Sequence, residues 1–158
     1  METLEATIYL RKPEVASTVA DFLLERADVV GFTSSGTRPE ERRAILSEWA
    51  PYFIEEVENS RRYPDIVQPS GPFTHYYFKL AEPISEKIRD LGLAWWDNDG
   101  LLGLEDPVFY AMQPKENGFR RLLGSVISHE GLVELQLGPE DMAALKRILP
   151  HWQKNREY

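Results

Sequence analysis

The 158-residue chain contains no cysteine. That excludes disulfide staples, thiolate nucleophiles and every zinc site built on cysteine. It also lacks any apolar run near the roughly 20 residues that a membrane-spanning helix requires. Positive charge is scarce, with 18 Lys+Arg against 26 Asp+Glu, a formal net charge of −8. A surface of that sign repels a phosphate backbone, so no nucleic-acid partner is expected. Histidine occurs three times, at positions 75, 129 and 151, never at the spacing of a helical metal pair. The opening "METLEATIYLRKPE" carries acids where a secretory leader would carry a basic and then an apolar segment. Together with the missing cysteine, this points to a cytoplasmic protein.

What is present fits an ordinary globular chain, with 42% hydrophobic and 28% charged residues. The length suits one domain with a real core, so a single α+β domain over 1–158 is expected. "TLEATIYL" alternates apolar and polar residues and reads as a strand. Pro13 then opens a helix whose stripe is Val15, Val19, Phe22, Leu23 and Ala27. "VVGFT" (29–33) is a second strand, which makes an N-terminal β-α-β unit. Thr37 and Glu40 have capping-box spacing for a second helix striped by Ile45, Trp49 and Phe53, with Pro51 expected to kink or split it. "PDIVQPSGP" (64–72) is a Pro-rich loop or hinge.

"FTHYYFKL" (73–80) reads as a strand, and Pro83 and Gly92 bracket a short helix. "PVFYAMQ" reads as a strand, "RLLGSVIS" and "LVELQL" as a hairpin around "HEG", and Pro139 opens a last helix. The expected architecture is a mixed sheet with the β-α-β unit, a C-terminal antiparallel meander and helices packed on the sheet.

Several catalytic patterns lack an essential member. "GFTSSGT" has glycines at phosphate-loop spacing, but Thr37 and Arg38 stand where lysine and serine or threonine belong. "LLGSVIS" is not a nucleophile elbow. In "LAWWDNDGLLGLEDP" (93–107), a calcium-loop register would start at Trp95, which cannot ligate. Asp97, Asp99, Glu105 and Asp106 still form an acidic group that a hard cation would suit, as in a metal-assisted hydrolase.

The stronger expectation is a docking surface made of Trp95, Trp96, Asp97, Asp99, Glu105 and Asp106. The window 93–114 holds four acids, no lysine or arginine, and four large aromatics. Aromatics dominate interface hot spots, and adjacent tryptophans on a strand point to opposite faces, one inward and one outward. The expected function is therefore a small acidic intracellular binding protein that docks on, or inhibits, a basic protein partner. Bacterial immunity proteins share that profile of size and charge, with no motif behind the comparison. No cofactor and no metal enter this expectation, and the oligomeric state is left open. The other readings are the hydrolase and an oligomerising subunit that pairs through "LVELQL" as a sheet edge.

Overall fold

A computed structural model describes residues 2–34, 39–59, 61–63, 66–67, 73–95, 104–113, 119–149 and 151. Nine strands and four helices follow one another in these segments. Strand β1 (Leu4–Tyr9) leads to helix α1 (Pro13–Arg26) and strand β2 (Val29–Ser34). Helix α2 (Pro39–Glu48) ends at a 3-10 turn, Ala50–Tyr52, before strand β3 (Phe53–Asn59). Two short strands, β4 (Arg61–Tyr63) and β5 (Ile66–Val67), pair with each other. Strand β6 (Phe73–Lys79) and helix α3 (Glu82–Leu91) come next. Strands β7 (Leu104–Gln113), β8 (Phe119–Ile127) and β9 (Leu132–Leu137) then precede helix α4 (Pro139–Ile148).

The class is α+β. Seven strands make one sheet in the order β1-β9-β8-β7-β2-β6-β3. Every pairing in it is antiparallel, which corrects the expected mixed sheet. The β1-α1-β2 segment exists and its strands run in the same direction, but β9, β8 and β7 lie between them. Antiparallel insertion of these three strands gives β1 a partner, β9, that no local pattern announces. Strand β9 is thereby flanked on both sides, so "LVELQL" offers no free edge for a second copy. The terminal strands are β1 and β3.

Residues 53–59 form a strand, although the spacing of Ile45, Trp49 and Phe53 suggests that the helix continues. Pro51 ends the helical hydrogen-bond ladder, and "FIEEVEN" then supplies an extended segment. Within the Pro-rich stretch 64–72, the described residues are Ile66 and Val67, which form β5. Pro83 and Gly92 bracket α3 as the sequence indicates, with Gly92 left-handed at φ 76°.

One sheet face is packed under helices. Ile8, Val133, Leu135, Phe109, Val30, Phe32, Tyr76 and Phe78 meet Val19, Phe22 and Leu23 of α1, Ile84 and Ile88 of α3, and Met142 and Leu145 of α4. Phe32 is an aromatic hub, with ring centroids 5.9 Å from Trp49, 6.1 Å from Phe78 and 6.2 Å from Trp95. At Gly124, an added Cβ would meet Leu135 and Leu23 side chains at 3.1 and 3.3 Å, so this glycine lets α1 settle onto β8.

Candidate functional site

The opposite face of the sheet follows from the register. His75, Tyr77 and Lys79 of β6 stand beside Thr33, Gly31 and Val29 of β2. Those stand beside Glu105, Val108 and Tyr110 of β7. Ser125, Leu122 and Arg120 of β8 continue the same face, as does Glu55 of β3 on the far side.

This face is concave. Arg120 on β8 and Glu55 on β3 have three strands between them, yet Nη2 lies 2.8 Å from Oε1. Four strand steps in a flat sheet would separate them by ~19 Å, beyond the reach of the two side chains. The sheet therefore curls across its diagonal and brings its far corners together. The same curl stacks Arg120 over the Tyr77 ring, with Cζ 4.8 Å from the centroid. It also brings Tyr77 and Tyr110 together across β2, with centroids 6.0 Å apart and the rings tilted by 57°.

Gly31 permits this crossing, because a Cβ there would lie 2.8 Å from Cε1 of Tyr77. Burial raises the Tyr77 pKa above its ordinary value, opposed by a side-chain hydrogen bond with Tyr110 and by the Arg120 charge, while Glu55 adds to the rise. The protonated phenol is therefore favoured more strongly than in a free tyrosine.

Deeper along the trough, Thr33 and His75 are both buried, with Oγ1 and Nδ1 3.2 Å apart. Glu105 faces Thr33 in register and is also buried. Ser125 and Ser128 have buried hydroxyls without a hydrogen-bond partner among the described residues.

The sequence-derived site divides in this structure. Trp95 is only 4% exposed and donates its indole N–H to the Leu104 carbonyl at 2.8 Å. Asp106 is 0% exposed, at the β-bulge where β7 carries one more residue than β2. It is left-handed at φ 52°, and its Oδ1 accepts the Ser128 backbone N–H at 2.8 Å. Glu105 is also buried, so none of these three forms an exposed rim. Trp96, Asp97 and Asp99 lie outside the described residues. Among the described residues no group of three or more His, Asp or Glu is arranged to hold a metal ion.

Residue patterns along the chain leave the trough unmarked. Its partial signal is the alternation His75, Tyr77, Lys79 opposite a glycine-bearing strand; the curl that joins β8 to β3 has no local signature.

Exposed acids gather elsewhere, on terminal strand β3. Glu55, Glu56 and Glu58 are exposed there, together with Phe53 and Ile54. No family model matches this sequence. No curated protein and no solved structure matches it either.

Proposed function

We propose that this chain is an acidic binding protein that docks on a basic protein partner and inhibits it by covering its surface. The observation that carries the reading is β3. It ends the sheet, exposes Phe53 and Ile54, and presents Glu56 and Glu58 with no basic residue between positions 53 and 59. Exposed apolar groups beside acids supply the two ingredients of a docking surface, contact area and electrostatic steering. A terminal strand also carries a row of backbone groups open to pairing with an incoming segment.

Trp96, Asp97 and Asp99, outside the described residues, belong to this reading by their chemistry alone. Trp95, Glu105 and Asp106 would support the surface from inside, since they are buried. The reading places the protein in the cytoplasm, with which the absence of cysteine is compatible.

The test is affinity capture from the native cell at low salt, comparing the natural chain with a Glu56→Lys/Glu58→Lys variant. Both positions are exposed, so the reversal leaves the core untouched. A basic protein should be retained by the natural chain and lost both on charge reversal and at high salt. Equal retention by the two chains, or no basic protein on the natural one, would end this reading.

A further inference from the structure

We infer that the curled face holds a second binding site, for a small carboxylate with a flat apolar body whose binding displaces Glu55 of β3. Arg120 is the anion anchor. Its side chain is 24% exposed, whereas that of Glu55, its carboxylate partner, is 46% exposed. The guanidinium is thus held against Tyr77 while the glutamate reaches in from a terminal strand. An arginine presents a planar fork with five N–H donors, suited to gripping a carboxylate through two oxygens. Its Nη2 lies 2.8 Å from Oε1 of Glu55, whose greater exposure makes that carboxylate the more mobile of the two partners. Glu55 therefore stands in for the ligand's carboxylate and can be displaced by one that meets the fork squarely.

The surroundings define the rest of the ligand. Tyr77, under the guanidinium, and Tyr110, tilted 57° to it with centroids 6.0 Å apart, provide the aromatic surface. Both tyrosines are partly exposed, so they offer apolar contact and a hydrogen-bonding hydroxyl. Lys79 shares this face and is exposed, two residues beyond Tyr77 on β6. It adds a second positive charge to this end of the trough on a chain of net charge −8. A carboxylate on Arg120 with its ring against the tyrosines fits this combination of charge and aromatic surface.

Benzoate titration followed by tyrosine difference absorbance tests the inference, with uncharged benzamide as the control. Benzoate should bind saturably and benzamide should not. Glu55→Gln removes the resident competitor and should tighten benzoate binding by roughly two- to fivefold, the range set by a partly exposed ion pair. Arg120→Met should abolish binding, and Lys79→Met should weaken it. Absence of saturable binding to both the natural chain and the Glu55→Gln chain overturns the site. Equal binding of benzamide, or binding that survives Arg120→Met, overturns the role of the guanidinium. Should Arg120→Met fail to fold, the Glu55→Gln comparison decides alone, since a purely structural ion pair gives no gain in affinity when it is removed.

Discussion

Tyr77 shows how one residue reports on the whole curl. Its phenol meets Tyr110 from β7, Arg120 from β8 and the charge of Glu55 from β3. Burial is the largest influence and favours the protonated form, so the folded-state pKa lies above the unfolded value of about 10. By linkage, the corresponding stability is fully present below pH ~10 and is lost as pH rises through the folded pKa. Spectrophotometric titration of the natural chain against Tyr77→Phe should therefore show that the one ionisation lost lies above that of an ordinary tyrosine. Removing the Arg120 charge should delay that ionisation further, and Glu55→Gln should advance it. If the ionisation lost on Tyr77→Phe is that of an ordinary tyrosine, the phenol is not held in this way.

At the scale of elements, the β7 bulge converts an expected ligand residue into a structural one. A left-handed backbone is tolerable for aspartate because its short side chain satisfies a local polar group. Here that group is the Ser128 N–H, at the end of β8. Asp106→Asn keeps an acceptor oxygen and a residue that tolerates the backbone, so stability should change little. Asp106→Ala leaves a buried N–H unpaired, at about 1–3 kcal/mol, and adds roughly 1 kcal/mol for a left-handed alanine. Urea unfolding of the two variants separates these outcomes. Equal, small losses in both would mean that the Asp106 carboxylate is kept for something other than the bulge.

This bulge also marks where reading from the sequence stops. Helix α3 was legible because Pro83 and Gly92 act within their own turns. The hairpin of β8 and β9 was legible because two alternating runs flank a short connection. Strand β3 was misread because Ile45, Trp49 and Phe53 recur at helical spacing across a proline that in fact ends the helix. Trp95, Glu105 and Asp106 were legible as unusual, but their burial depends on strands that pair far from them in sequence. Arg120 and Glu55 could not be matched at all, since the sheet's order and curvature alone bring them together.

Across the whole molecule, the sheet closes by pairing its first strand with its last, Leu4 opposite Leu137 and Ile8 opposite Val133. Contacts so distant in sequence require a large loop to close before they contribute, so they form late unless other strands have already drawn the ends together. The β8–β9 hairpin closes over the short segment Ser128–Gly131 and forms early by the same argument. Ile8 and Val133 are both 0% exposed and lie on the same face, so truncating either removes core packing. Ile8→Ala should destabilise by about 2–5 kcal/mol, expressed almost wholly as faster unfolding with little change in the folding rate. Val133→Ala should instead slow folding, because its hairpin belongs to the nucleus. Chevron plots of the two variants distinguish the cases. A folding arm slowed as much by Ile8→Ala as by Val133→Ala would mean that β1 is already docked in the transition state. The sheet would then be assembled around its most distant pairing rather than completed by it.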